Sequence, residues 1–291
     1  MLRSQPRIYM PELKEPQFFA AEMRGEGRPR HLPETLEEYL ALFEAARADQ
    51  LAGEASPSYL RSHTAAAEIA RVAPDARIVA ILREPASLLR SVHLQFVQAM
   101  IESEYDLRKA LELEGARREG RNLPRHGLWP QALLYSEHVR YVEQLRRYHA
   151  AFPKENVLVL IYDDFRADNA GTVRTVLRFL GVEDPAPVVQ IEANPTVSAR
   201  SRSVHELMYT VTVGRGPVSS GVKAAVKTLM PAGARRRLLG SLRRNLVYGD
   251  PPPVDEELMS ELRRDLKGEV VALSEYLDRD LVGLWGYDDV G

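Results

Sequence analysis

Two short apolar runs are the clearest hydrophobic features of the chain. They are Ile78–Leu82 (IVAIL) and residues 157–162 (VLVLIY). Runs of this length, bounded by polar residues, are typical of strands buried on both faces of a parallel sheet. A helical spacing of apolar residues follows each run, from Pro85 to about Glu102 after the first and over residues 172–180 after the second. Pro85 suits the first turn of a helix, because its missing N–H would have no partner there.

Further helices are predicted over residues 33–49, 58–72, 106–114, 135–152 and 254–277. Residues 51–96 have the order strand, helix, strand, helix, which favours parallel strands joined by right-handed crossovers. We therefore predict an α/β fold in which helices flank a central parallel sheet. A length of 291 residues suits one domain, which we expect to span residues 1–291.

The composition of the chain excludes several classes of site and of function. The chain has no cysteine, which excludes a disulfide framework, a thiolate metal site and a cysteine nucleophile. Its net charge of −2 gives no indication of a nucleic-acid partner. No apolar run approaches the roughly 20 residues that span a bilayer, and the N-terminus lacks the apolar core of a secretory signal. We therefore expect a cytoplasmic protein without a transmembrane segment.

One segment departs from this charge balance. Residues 200–249 contain ten Arg or Lys and one acid, Glu206, which gives a local net charge of +9. Within it, residues 222–246 have the pattern of basic amphipathic helices, which could lie on anionic lipid or contact an anionic acceptor. The alternative is a solvated cationic face around the entrance to a binding site.

The end of the first apolar run carries candidate binding chemistry. Arg83 follows the predicted strand directly, and Ser91 lies about two turns into the helix. Ligands of open α/β sheets bind outside the carboxyl ends of the strands. A guanidinium and a hydroxyl placed there can hold a phosphate. The alternative is an ordinary strand–helix corner with a solvated Arg83.

The carboxylates Asp163 and Asp164 follow the second apolar run. Such a pair at a strand end resembles a metal site. Adjacent residues of an extended chain point to opposite sides, however, so we favour capping and hydrogen bonds to neighbouring loops.

Several segments together resemble the sulfotransferases that use 3'-phosphoadenosine 5'-phosphosulfate (PAPS). LREPASLLRS, at residues 82–91, resembles the segment with which that family binds the 3'-phosphate of the nucleotide. Further family patterns appear at residues 14–19 (KEPQFF), 53–60 (GEASPSYL) and 135–184, the last containing VLVLIYDD and FLG. The resemblance implies the P-loop-like parallel sheet of the sulfotransferase fold.

The resemblance also implies a reaction. A sulfuryl group would pass from PAPS to a hydroxyl, or an amine, of a small-molecule, lipid or carbohydrate acceptor, without a metal. Arg83 and Ser91 would hold the 3'-phosphate, and Arg200 would make a second phosphate contact. Glu54 would take the proton from the acceptor. Alternatively, the charge of Glu54 favours the first turn of the next helix.

One family feature is missing. In the family, a strand and a Gly-Thr-rich loop carrying a lysine cradle the phosphosulfate, and this chain begins where the helix after that loop would end. We expect either that the true start lies upstream, or that the loop has been lost. In the second case the protein is a non-catalytic nucleotide- or anion-binding protein. The lack of a Walker A loop disfavours a third alternative, a nucleotide kinase.

Overall fold

The computed structural model describes residues 1–23, 31–124, 130–182, 186–187, 198–199, 248–249 and 252–290. The strands in these ranges are β1 (Ile8–Tyr9), β2 (Leu51–Ala52), β3 (Ile78–Leu82), β4 (Val157–Ile161), β5 (Ser198–Ala199) and β6 (Tyr248–Gly249). The α-helices are α1 (Leu36–Ala41), α2 (Ser58–Arg61), α3 (Ala65–Val72), α4 (Pro85–Gln98), α5 (Leu107–Glu112), α6 (Glu114–Arg118), α7 (Tyr141–Ala151), α8 (Tyr162–Ala167), α9 (Asn169–Phe179), α10 (Glu256–Leu277) and α11 (Leu281–Trp285). Short 3-10 helices lie at Leu2–Ser4, Ala21–Met23, Pro130–Leu133, Tyr135–His138 and Lys154–Asn156.

Two of the three strand pairs in the described ranges are parallel. β3 pairs with β4 along its whole length, from Ile78 opposite Val157 to Leu82 opposite Ile161. β1 pairs with β2 in the same parallel sense, whereas β5 and β6 are antiparallel. Within the described ranges, hydrogen bonds join the strands two by two. Parallel strands with helices between them confirm the predicted α/β class.

The β3–β4 pair is buried on one face. Ala80, Leu82 and Ile161 contribute to the largest core cluster, together with residues of α7, α10, α11 and the chain beyond: Tyr141, Val142, Leu145, Val270, Leu273, Leu281, Trp285 and Tyr287. On the opposite face, Val79 and Ile81 are 40% and 48% exposed. The prediction that β3 is buried on both faces is therefore wrong. Alternate residues of a strand point to opposite faces, and only one face of β3 is fully covered.

Two helices are shorter than predicted, and hydroxyl side chains fix the start of one and the division of the other. The helix predicted over residues 33–49 is confined to α1, which begins after Thr35, the first residue of a capping box. The helix predicted over residues 58–72 divides into α2 and α3 at the buried Ser62. Ser62 Oγ accepts a hydrogen bond from the Ala65 N–H at 2.9 Å, and so serves the start of α3 instead of continuing α2.

The predicted basic segment, residues 200–249, lies outside the described residues except for β6. That it is helical, and that it contacts an anionic surface or acceptor, therefore stay predictions. Among the helices that the structure does describe, none is both long and apolar enough to cross a bilayer.

A buried ion pair anchors the segment between α4 and α6. Arg117 and Glu102 are 4% and 1% exposed, and the guanidinium donates two hydrogen bonds of 2.7 Å to the carboxylate. The carboxylate also accepts from the Tyr135 hydroxyl at 3.1 Å and from the N–H groups of Ser103 and Glu104. Such hydrogen bonds offset the desolvation of both charges, but the loss of one partner leaves the other buried and unpaired.

Replacing Arg117 by methionine should destabilise the protein by about 3–5 kcal/mol, because Glu102 would stay buried without its counter-ion. Urea denaturation followed by circular dichroism measures this loss. Arg121→Met is the matched control, because the ion pair of Arg121 with Glu119 joins side chains that are 63% and 65% exposed. A loss no larger than that of the control would contradict the anchoring role of the pair.

Candidate active site

The carboxyl ends of β1 and β2 meet at a small cavity. Because the two strands are parallel and adjacent, the residues that follow them lie at the same edge of the sheet. The cavity has a volume of about 240 Å³. Apolar side chains, two cations and two carboxylates line it: Met10, Pro11, Leu13, Ala55, Arg3, Lys14, Glu15 and Glu54. It therefore offers positive charge for an anion and carboxylates that can accept a proton.

Glu54 is held in this wall by a chain of hydrogen bonds. Its Oε2 accepts from Ser56 Oγ at 2.9 Å, and Ser56 Oγ accepts from the Gln17 N–H at 3.1 Å. Glu54 Oε1 is buried, and no hydrogen bond reaches it in the part of the chain that the structure describes. Glu54 lies before α2, whose first turn contains no acidic residue. The alternative, in which its charge favours the start of that helix, stays a prediction.

The surroundings of Glu54 favour its protonated form. Burial raises the pKa of Glu54 above its usual 4.5, and the charge of Glu15 adds to the shift. The nearby hydroxyls of Tyr59, Ser56 and Tyr39 oppose it. Burial and the Glu54 charge also raise the pKa of the Tyr39 and Tyr59 hydroxyls, so both stay protonated. A carboxylate with a raised pKa is a stronger proton acceptor than a solvated one.

A second carboxylate in the cavity wall, Glu15, is absent from the predicted site. It lies in a turn where Glu15 and Gln17 have φ angles of 51° and 52° on either side of Pro16. Positive φ is uncommon outside glycine and persists where the surrounding structure imposes it. Burial raises the pKa of Glu15, and the neighbouring Lys14 opposes that shift. The sequence shows this acidic residue within KEPQFF, but no local pattern predicts that it lies beside Glu54.

Arg83 lies where the sequence predicts it, directly after β3 at the carboxyl edge of the β3–β4 pair. Its guanidinium lies over the ring of Tyr162, which follows β4, at 5.2 Å from the ring centroid. Within the described ranges, no carboxylate forms an ion pair with Arg83. Its N–H groups are therefore available to an anion.

Ser91 lies in the second turn of α4, the helix that begins two residues after Arg83. The first turn of this helix is already capped: the Glu84 carboxylate accepts from the N–H groups of Ala86 and Ser87 at 3.0 and 2.7 Å. An anion at this corner would therefore be bound by the side chains of Arg83 and Ser91, and not by free backbone N–H groups.

The predicted site residues occupy two corners of the fold. Arg83 and Ser91 share the β3–α4 corner, whereas Glu54 follows β2 in the other strand pair. No hydrogen bond or ion pair within the described ranges joins Glu54 to either of them. Arg200 lies outside the described residues, although the backbone of β5, which ends one residue before it, lies next to α4.

Asp163 and Asp164 lie in the first turn of α8, and not on an extended chain as predicted. Asp163 Oδ2 accepts from the Trp285 indole N–H at 2.9 Å. Asp164 accepts two hydrogen bonds, of 2.6 and 2.7 Å, from Arg279, which lowers the pKa of Asp164. These contacts agree with the predicted bonds to neighbouring segments. Among the residues that the structure describes, no group of three or more His, Asp or Glu side chains could hold a metal ion.

Comparison with known proteins identifies the family. A family model described as the sulfotransferase family matches residues 3–186. The crystal structure of a sulfotransferase from Alicyclobacillus acidocaldarius matches with a TM-score of 0.56 and 25% sequence identity, over 81% of this chain and 91% of that chain. No curated protein matches the chain significantly. This chain belongs to the sulfotransferase family and has an α/β sulfotransferase fold.

Replacing Glu54 by glutamine should stabilise the protein at neutral pH, because a buried ionised carboxylate costs free energy that a neutral amide does not. Since folding raises the pKa of Glu54, the carboxyl contributes stability below its usual pKa of 4.5, and this contribution is lost as pH rises through the folded pKa. The Tm advantage of Glu54→Gln should therefore be smallest in acid and grow with pH.

Differential scanning calorimetry across the pH range measures this advantage. Glu44→Gln is the matched control, because Glu44 is exposed and its substitution should leave Tm nearly unchanged at every pH. The opposite result would be a Tm of Glu54→Gln that falls further below the Tm of the wild type as pH rises. It would show that the fold stabilises the ionised carboxylate, and would contradict the prediction.

Proposed function

We propose that the protein transfers a sulfuryl group from PAPS to a hydroxyl, or an amine, of an acceptor, within a single domain. Membership of the sulfotransferase family supports sulfuryl transfer as the reaction class. The observation that supports a nucleotide donor is the position of Arg83. This residue lies at the carboxyl end of a parallel strand and has no ionic partner in the described ranges. Such positions bind the anionic groups of ligands in open α/β sheets.

The 3'-phosphate of the donor would contact Arg83 and Ser91. A guanidinium presents two parallel N–H groups to phosphate oxygens, and a serine hydroxyl adds one further hydrogen bond. Because Glu84 occupies the first N–H groups of α4, these two side chains would carry the contact. Arg200 is proposed as an additional phosphate ligand.

At the cavity, Glu54 would act as the general base. The carboxylate takes the proton of the acceptor O–H while the acceptor oxygen forms a bond to sulfur. The bond between sulfur and the oxygen of the 5'-phosphate breaks, and adenosine 3',5'-bisphosphate leaves. Arg3 and Lys14 in the same wall would offset the negative charge of the transferred group. Transfer of this kind depends chiefly on positioning and charge stabilisation.

Glu15 is a second candidate for the base. It lines the same cavity as Glu54, and burial raises its pKa as well. The hydrogen bond from Ser56 favours Glu54, because it fixes the orientation of that carboxylate. Separate neutral substitutions of the two carboxylates distinguish them.

Adenosine 3',5'-bisphosphate should bind the purified protein, and Arg83→Ala should weaken this binding about tenfold to a hundredfold through the loss of charge-assisted hydrogen bonds. Arg83→Lys should recover only part of the affinity, because an ammonium cannot make the paired contact. Isothermal titration calorimetry measures the dissociation constants. Arg71→Ala is the matched control, because Arg71 is exposed and pairs with Glu68 on α3. Equal affinities of the wild type and Arg83→Ala would remove Arg83 from the site.

Glu54→Gln should lower kcat for sulfuryl transfer by about 10²–10⁴-fold, because the general base is lost. Its affinity for adenosine 3',5'-bisphosphate should stay that of the wild type. In the wild type, kcat should rise with pH through the raised pKa of Glu54, since the ionised carboxylate is the active form.

Transfer of radiolabelled sulfate from PAPS to a panel of phenols, lipid alcohols and monosaccharides measures these rates. A larger loss in Glu15→Gln than in Glu54→Gln would assign the base to Glu15. If the wild type binds the nucleotide but transfers sulfate to none of these acceptors, the result would favour the alternative that the protein binds nucleotides without catalysing transfer.

A further inference from the structure

The C-terminal region reaches the Arg83 corner through one buried tyrosine. Tyr287, just beyond α11, is fully buried, and its hydroxyl donates a hydrogen bond to Glu84 Oε1. Glu84 is itself only 7% exposed. A buried carboxylate needs donors of its own, because its charge is otherwise uncompensated. Tyr287 supplies one across a separation of 203 residues in the sequence.

Glu84 joins this tyrosine to the helix that follows Arg83. The same carboxylate accepts two hydrogen bonds, of 3.0 and 2.7 Å, from the first turn of α4, which fixes the start of that helix. Arg263 Nε on α10 lies 4.0 Å from Glu84 Oε1 and is buried without a hydrogen bond in the described part of the chain. The C-terminal region therefore supplies both a hydrogen-bond donor and a positive charge to Glu84.

Arg83 is held from two further directions. The hydroxyl of Tyr141 on α7 donates to the Arg83 carbonyl at 2.8 Å, and the guanidinium lies over the ring of Tyr162. The main chain at Arg83 and Glu84 is thus fixed by α7 on one side and by the C-terminal region on the other. The side chain that extends from it is the one proposed to bind the 3'-phosphate.

We propose that Tyr287 is a positioning residue for Arg83. Its hydroxyl holds Glu84, and Glu84 in turn fixes the main chain at Arg83, so that the guanidinium is preorganised to bind the 3'-phosphate. This inference rests on the proposed function, in which Arg83 binds that group. A preorganised arginine loses less conformational freedom when an anion binds, and the difference appears as affinity. Tyr287 and Arg263 both lie beyond residues 3–186, the part that matches the family model.

The tyrosine hydroxyl can be removed with little disturbance. Burial and the charge of Glu84 raise the pKa of Tyr287, so the hydroxyl stays protonated and donates throughout the ordinary pH range. The ring itself packs in the core cluster that contains Leu281 and Trp285. Tyr287→Phe therefore removes the donor to Glu84 and keeps this packing.

The test compares two nucleotides by isothermal titration calorimetry. Adenosine 3',5'-bisphosphate carries the 3'-phosphate and adenosine 5'-monophosphate lacks it, so the ratio of their affinities measures the contribution of that group. Tyr287→Phe should reduce this preference about fivefold to tenfold. Tyr276→Phe is the matched control. It also loses one tyrosine hydroxyl contact, at 2.6 Å to His149 Nδ1, and its preference should equal that of the wild type.

In the Arg83→Ala background, Tyr287→Phe should cause no further loss of preference, because the two residues act as one unit. If Tyr287→Phe does not fold, Glu84→Gln, which neutralises the acceptor of this bond and of the two bonds from α4, should reduce the preference at least as much. Equal weakening of both nucleotides would make Tyr287 merely structural and overturn the inference, while the proposed function would stand. A wild type without preference for the bisphosphate would overturn the role of Arg83 and the inference with it.

Discussion

The parallel pairing of β3 with β4 is the constraint on which the candidate site depends. The register places Leu82 opposite Ile161, so the next residues, Arg83 and Tyr162, emerge side by side and the guanidinium meets the ring. The same rule brings Glu54, after β2, beside the residues that follow β1. Each parallel pair therefore presents charged residues at its carboxyl end, the edge at which α/β proteins bind their ligands.

The C-terminal region donates hydrogen bonds to carboxylates at the β3–β4 edge. Three carboxylates lie within two residues of Arg83 or Tyr162 in the sequence, and each has a donor from the C-terminal region: Glu84 from Tyr287, Asp163 from Trp285 and Asp164 from Arg279. Opposite charges pair readily, so an arginine near such groups would otherwise be neutralised by one of them. These carboxylates are engaged by C-terminal donors, and none of them forms an ion pair with Arg83 within the described ranges.

Local patterns in the sequence predict β3, β4 and the start of α4 at Pro85, because apolar runs and proline act over a few residues. The one-sided burial of β3 is not predictable in this way, because it depends on which distant elements cover the strand. The division at Ser62 likewise follows from a capping bond that competes with helix continuation. Arg83 and Ser91 can be predicted from their positions after a strand and in the helix that follows it. The surroundings of Glu15 and Tyr287, in contrast, depend on residues distant in the sequence, which no local pattern predicts.

Amide hydrogen–deuterium exchange, with and without adenosine 3',5'-bisphosphate, tests most directly whether the β3–α4 corner is the nucleotide site. We predict slower exchange across residues 82–91 in the presence of the nucleotide, because an anion held by Arg83 and Ser91 restrains the local opening of this corner. Nucleotide binding that leaves the exchange of these residues unchanged and protects a different part of the chain would contradict this assignment.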